Sequence, residues 1–192
     1  MKRLRVVAAL LLLSVPRGAA AQSFVVSPFV DTTLNSPTGT GGSSKAGFGV
    51  AFGKLGKVVG LETEVTYHPQ IVDNAANALA KSHVLTLSEN LLVGPTIAHV
   101  KPYGVIGAGD LHLNATSVAS VAVPTPESTS NNYFTIDFGG GVAYFFNKRL
   151  GARGDLRYFR AYGLNLNDLE ASGLTFNRFD FWRAGVGATF TF

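Results

Sequence analysis

No cysteine occurs anywhere in this sequence. Disulfides, metal–thiolate centres, cysteine nucleophiles and a lipid-modified amino-terminal cysteine are therefore excluded, and stability must come from the fold itself. A surplus of one charge is missing too, once the chain is divided into its parts. Residues 1–21 join a basic opening (Lys2, Arg3, Arg5), an apolar run from Val6 to Val15 and the small residues Ala19, Ala20 and Ala21. Those are the three parts of a secretory signal peptide, with cleavage expected between Ala21 and Gln22. The run falls short of the roughly 20 residues a spanning helix needs, so the chain reads as exported rather than anchored by a helix. Removing Lys2, Arg3, Arg5 and Arg17 from the 16 Lys and Arg leaves 12, against 12 Asp and Glu. The formal charge of +4 vanishes with the leader, and no basic surplus remains to hold a nucleic acid.

Helical periodicity is scarce as well. After the leader only Ile71 to Ala80 hints at a helical turn, inside what otherwise reads as a loop. No glycine-rich phosphate loop joins a strand to a helix, since GVIGAG and GGG sit within strand-like stretches. What the chain does contain is two-residue alternation, clearest at its end, FWRAGVGATFTF. Trp182, Ala184, Val186, Ala188, Phe190 and Phe192 share one face there, while Arg183, Gly185, Gly187, Thr189 and Thr191 share the other. One side of such a strand meets an oily medium and the other a packed polar space.

Eight such segments follow the leader and make a single domain, residues 22–192. The first, Ser23 to Asn35, splits ambiguously between Phe24, Val26, Val30 and Thr32 on one face and Val25, Ser27, Phe29 and Asp31 on the other. Its Pro28 predicts a bulge or a lost ladder bond. The second, Lys45 to Lys54, sends Phe48, Val50 and Phe52 outward over Gly47, Gly49, Ala51 and Gly53. The third has Val59, Leu61, Thr63, Val65 and Tyr67 outward and Gly60, Glu62, Glu64, Thr66 and His68 inward. In the fourth, His83 to Gly94, Leu85, Leu87, Leu91 and Val93 face out, Thr86, Ser88 and Asn90 face in, and Glu89 falls on the oily side. The fifth, Pro102 to Asn114, is read with Tyr103, Val105, Leu111 and Leu113 outward and Asp110, His112 and Asn114 inward. The sixth, Asn132 to Phe146, turns Thr135, Asp137, Gly139, Gly141 and Ala143 inward; the seventh, from Leu150 to Arg160, does so with Arg153, Asp155 and Arg157. Between segments five and six, Ala115 to Asn131 reads as a long loop or a hairpin extension.

Connections alternate long and short. In a closed membrane barrel the short turns are periplasmic and the long loops extracellular, and closure is obligatory because no open sheet edge survives in lipid. LETEVTYHP, ENLLVG, KPYGVIGAG, DFGGGVAYFF and the closing GATFTF resemble the small bacterial outer-membrane β-barrel family that includes the opacity-type proteins and the membrane domain of outer membrane protein A. The resemblance implies an all-β, eight-stranded, antiparallel, up-and-down transmembrane barrel; in contrast to the larger members, no periplasmic peptidoglycan-binding domain is expected, so a cell-wall tether is not implied. It also implies that the last strand, with Phe190 and Phe192, is read by the barrel assembly machinery.

A barrel of this size is filled by its own side chains. Glu62, Glu64, Asp110, Asp137, Arg153, Asp155, Arg157 and Arg183 are accordingly expected to form a packed ionic lumen, in which arginines pair bidentately with the acids. Glu89 with Gly107 and Gly109 marks either a local hydrogen bond to Thr63 or an outward contact seam. His68, His83 and His112 lie toward one rim, yet no His-x-Ser pattern or grouped triad accompanies them, so no catalytic, metal or cofactor site is expected. The functional expectation is an outer-membrane protein of structural or loop-recognition role, monomeric or weakly associating, with outer-membrane lipid as its surroundings and an unspecified loop ligand. The alternative is a small pore for ions or solutes. A lipid-modifying enzyme and a soluble ligand carrier are the lesser readings, the latter because it would line its inside with the aromatics.

Overall fold

Eight strands, each hydrogen-bonded to its sequence neighbours and with the last closing on the first, form one antiparallel barrel. The computed structural model describes residues 23–34, 44–69, 79–118, 126–162 and 180–192; the expected leader, its cleavage site and most of the long connections lie outside them. The strands are β1 (Ser23–Thr33), β2 (Ala46–Leu55), β3 (Val59–Pro69), β4 (Leu79–Val93), β5 (Val100–Val118), β6 (Pro126–Phe145), β7 (Leu150–Tyr162) and β8 (Asp180–Thr191). Closure comes from the β1–β8 ladder, which runs from Val25 opposite Thr191 to Thr33 opposite Arg183.

The outer wall is oily because the alternation puts it there. Val30, Phe48, Ile106, Phe134, Phe138 and Val186 are each half or more exposed, an arrangement that water would penalise and lipid accepts. Phe138, Tyr158 and Trp182 follow one another around the wall with ring centroids 5.3 Å apart in each pair. At the opposite end Phe24 lies 6.3 Å from Phe192, and Tyr144 lies 5.3 Å from Phe146. Aromatic bands at both ends of an apolar wall are the pattern of a membrane-spanning barrel.

The ambiguous β1 resolves with Val25, Ser27 and Asp31 buried and Pro28 exposed. Pro28 causes no bulge: β1 keeps one register with β2 from Ser23 to Thr32. The ladder to β8 instead omits Ser27 and Pro28, and the Ser27 and Thr189 hydroxyls bridge the gap at 3.0 Å. Between β5 and β6 the hairpin extends, pairing as far as Val118 with Pro126. Strand β4 begins at Leu79, earlier than its alternation indicated.

Strand β5 corrects the sequence reading. Tyr103, Val105, Leu111 and Leu113 are buried inside the barrel, and Asp110, His112 and Asn114 stand on the outer side. The register explains the inversion: Glu89 pairs with Ala108, not Gly107, and a slip of one residue exchanges the two faces of a whole strand. Packing fixes that choice. A Cβ at Gly107 would overlap Asn90 Oδ1 and Asp137 Oδ1, so the inward glycine leaves room for two lumen side chains. Tyr103 and Val105 join Leu92 and Ala143 in an apolar cluster, with Leu55 and Phe145 packed against it. The lumen therefore has an apolar layer that its polar residues do not announce.

Facing along β5 can be read directly, because a chain without cysteine accepts single cysteines as reporters. A nitroxide on Ile106→Cys in bilayers is expected to collide freely with oxygen and weakly with a water-soluble nickel chelate. On Val105→Cys it is expected to be shielded from both. The reverse pattern would shift β5 by one residue.

Candidate functional site: the ionic lumen

Strands β3 and β7 lie on opposite sides of the barrel, and two acids of β3 face two arginines of β7 across the lumen. From β3 come Glu62 and Glu64, both at most 2% exposed, and from β7 come Arg153, Asp155 and Arg157. Arg157, fully buried, is the hub. Its Nη2 lies 3.3 Å from both Glu62 Oε1 and Glu64 Oε2, its Nε donates to Asp155 Oδ1 at 3.1 Å, and its Nη1 lies 3.6 Å from Asp137 Oδ2. The Asp137 contact is diagonal, since Asp137 pairs with Phe159 across the β6–β7 ladder.

Two further arginines extend the hub to the walls. Arg153 donates to both oxygens of Glu62, the fork geometry that carboxylates bind best, and also to Asp155 Oδ2 at 3.1 Å. Tyr103, from the inward side of β5, donates to the same Asp155 oxygen at 3.1 Å. Arg183 of β8 reaches Glu64 Oε1 at 2.7 Å, Asp31 Oδ2 at 3.5 Å and the Thr66 hydroxyl at 3.1 Å. Its guanidinium carbon sits 4.6 Å from the Phe159 ring centroid and 5.3 Å from that of Phe29, so it is desolvated against aromatic faces that attract cations. Six strands, β1, β3, β5, β6, β7 and β8, are thereby linked through the middle of the barrel.

Of the residues expected in this network, Glu62, Glu64, Asp137, Arg153, Asp155, Arg157 and Arg183 are brought together. Asp110 is not. It lies on the outward side of β5 between Leu87 and Phe134, for the reason of register already given. Gly107 and Gly109 likewise leave the outer seam expected around Glu89, because a Cβ on either would enter lumen-side neighbours or the β4 backbone. Glu89 itself stays on the outer wall and accepts a 2.5 Å hydrogen bond from Thr63, its direct cross-strand partner.

Three members escaped sequence reasoning as parts of a network. Asp31 was hidden by the ambiguous facing of β1, although it lies 2.8 Å from His68 Nε2. Tyr103 was hidden by the inverted β5. Lys101 was assigned nothing, yet it is 1% exposed and its Nζ donates to the carbonyls of Gly94, Gly56 and Lys57 at 2.8, 2.9 and 3.3 Å. It ties the β2–β3 and β4–β5 turns together across the mouth at their end of the barrel. No signal in the local pattern marks a lysine for that task. Among the described residues no cluster of His, Cys, Asp and Glu could hold a metal ion.

The family model for the outer membrane protein β-barrel domain matches residues 6–190. Among solved structures, a major outer membrane protein from Thermus thermophilus is similar with a TM-score of 0.68 at 13% identity, over 90% of this chain and all of that one. Neisserial surface protein A gives 0.61 at 13% identity, over 92% and 100%. Ail, the attachment invasion locus protein of Yersinia pestis, solved with the heparin analogue sucrose octasulfate, gives 0.52 at 14% identity, over 89% and 97%. At these identities the likeness is one of fold. No protein of curated function matches the sequence.

Removing the hub strands several buried acids at once. Arg157→Ala is expected to lower the unfolding free energy by at least about 3 kcal/mol, measured by urea unfolding in micelles. Asp137→Ala should cost less, since its contact with Arg157 is the longest. The double variant should lose less than the sum of the two single losses; strict additivity would show that the pair is not coupled.

Proposed function

The chain belongs to the outer membrane protein β-barrel domain family, and from that membership we propose that it is a non-catalytic integral protein of the bacterial outer membrane with a closed lumen. On this reading it supports the membrane structurally and recognises its surroundings through its extracellular loops. The observation that carries the reading is the lumen itself. Arg153, Arg157 and Arg183 are held by acids from facing walls, and the Lys101 clasp and the Leu92, Tyr103, Val105 and Ala143 layer lie between that network and the turns. A conducting path needs a continuous wet gap, whereas these groups are buried and bind one another across the lumen. The pore alternative would require them to move.

Recognition is assigned to the loops because the lumen is committed to packing. Ail offers a parallel in its solved complex with a heparin analogue; for this chain the loop ligand is left open. The leader is proposed to be cleaved before Gln22, and the closing segment ending in Phe190 and Phe192 to be what the barrel assembly machinery binds. Both phenyl rings are exposed to the exterior, Phe192 at 79%, as such a contact requires. The mature barrel is proposed to be monomeric or weakly associating, surrounded by outer-membrane lipid.

Planar-bilayer recording on refolded protein tests the closed lumen. The expected trace has no steady unitary conductance. Ohmic steps that recur with each insertion would favour the small pore. Deleting Phe192 provides a separate check on assembly. Protease-resistant barrel in the outer membrane should fall while export to the periplasm stays unchanged.

A further inference from the structure

The end of the barrel that carries the short turns is basic. The short turns at residues 55–58, 94–100 and 147–149 contain Lys57, His99, Lys148 and Arg149 and no Asp or Glu. Two cavities open at this end. One, of about 630 Å³, is lined by Lys57, His99, Lys101 and Lys148 over an apolar floor that includes Leu55 and Phe145. The other, of about 610 Å³, is lined by Ser23, Lys148, Arg149, Phe190, Thr191 and Phe192. The two share Ser23, Lys148 and Thr191, so they adjoin at the place where β7 and β8 meet the start of β1.

The second cavity is amphipathic in a specific sense. Its phenyl rings belong to the outward face of β8, at 42% exposure for Phe190 and 79% for Phe192, and its cations belong to the turn just beyond that wall. The turn that carries them is held in shape by its own bonds. Asn147 Oδ1 accepts from the backbone amides of Arg149 and Leu150 at 2.8 and 2.9 Å, and the amide of Thr191 donates to the Arg149 carbonyl at 2.8 Å. The Lys148 and Arg149 side chains take no part in those bonds. Among the described residues no Asp or Glu lines either cavity, and Lys57 and Lys101 line the adjoining one, so the local excess is cationic.

We propose that this corner binds an anionic phospholipid of the inner leaflet, its phosphate held by Lys148 and Arg149 and its acyl chains lying along Phe190 and Phe192. The proposal rests on the reading of this chain as an outer-membrane barrel, oriented with its short turns on the periplasmic side as such barrels are. The chemistry fits a lipid better than a free anion, because the cations border an aromatic, lipid-facing wall instead of a closed polar cage. It also places the bound headgroup beside the β1–β8 closure, the ladder whose formation completes the barrel. A cation close to a membrane surface contributes about a fivefold gain for anionic lipid. Lys148 and Arg149 together should therefore give at least about fivefold.

Native mass spectrometry of the refolded full chain in micelles tests this. Phosphatidylglycerol, phosphatidylcholine and inorganic phosphate are offered at equal concentration. Phosphatidylglycerol is expected to be retained at least about fivefold more than phosphatidylcholine. Lys148→Gln with Arg149→Gln should erase the preference, while Arg160→Gln, near the other end of β7, should leave it intact. Equal retention of the two lipids, or a preference that survives the double variant, would overturn the proposal. So would inorganic phosphate displacing the lipid at equal concentration, which would make the corner an ion site only. Each variant is first checked for the heat-dependent electrophoretic shift of a folded barrel. Failure of the lipid site with that shift retained leaves the barrel reading standing, whereas loss of the shift in the unaltered chain would remove both.

Discussion

The constraint on which the rest of this structure depends is that the inside of a narrow barrel has little to offer a charge except another charge of the same barrel. Lipid surrounds the wall and solvates nothing polar, and an unpaired buried ion costs several kcal/mol. Once β3 sends Glu62 and Glu64 inward, guanidiniums must come to them from the far wall. Arg153 and Arg157 on β7 and Arg183 on β8 meet that demand. The need for these contacts propagates outward. It places Gly107 where side-chain room is required by Asn90 and Asp137, turns Tyr103 inward to reach Asp155, and brings Asp31 and Thr66 into the shell around Arg183.

Much of the fold was legible because the wall has two different solvents and a strand has a period of two. In β2, β3, β6 and β8 one face is plainly apolar and the other small or polar, and those strands face as their sequences indicate. The contact of Asp137 with Arg157 has a related origin. The short turn at Asn147 to Arg149 fixes the β6–β7 register, and with it the diagonal between the two residues. Strand β5 was not legible in this way. Both its faces carry apolar residues, Ile106 and Ala108 outside and Val105, Leu111 and Leu113 inside. Local alternation then gave weight to Asp110 and His112, which lie on the outer side toward the end of the strand. Only the neighbouring strands, through the Glu89 to Ala108 register, settle such a case.

The same contrast separates the lumen from the rims. A lumen charge announces itself by its place in a strand, so Glu62, Glu64, Arg153 and Arg157 could be found by periodicity alone. A rim group such as Lys101 acts on backbone carbonyls of two turns that are distant in sequence, and nothing near it in the chain records that meeting. Asp31 and His68, 2.8 Å apart, stand between these extremes. His68 sits on a clean strand and was placed inward, whereas its partner waited for the facing of β1 to be resolved.

The central claim is that the lumen is a bonded, water-poor ionic core. The most direct measurement is hydrogen exchange of the arginine side chains, followed by nuclear magnetic resonance on arginine-labelled protein in nanodiscs. The account predicts that the Nε protons of Arg153, Arg157 and Arg183 exchange far more slowly than that of the exposed Arg160. Exchange of all four at one fast rate would mean that water fills the lumen, and would contradict it.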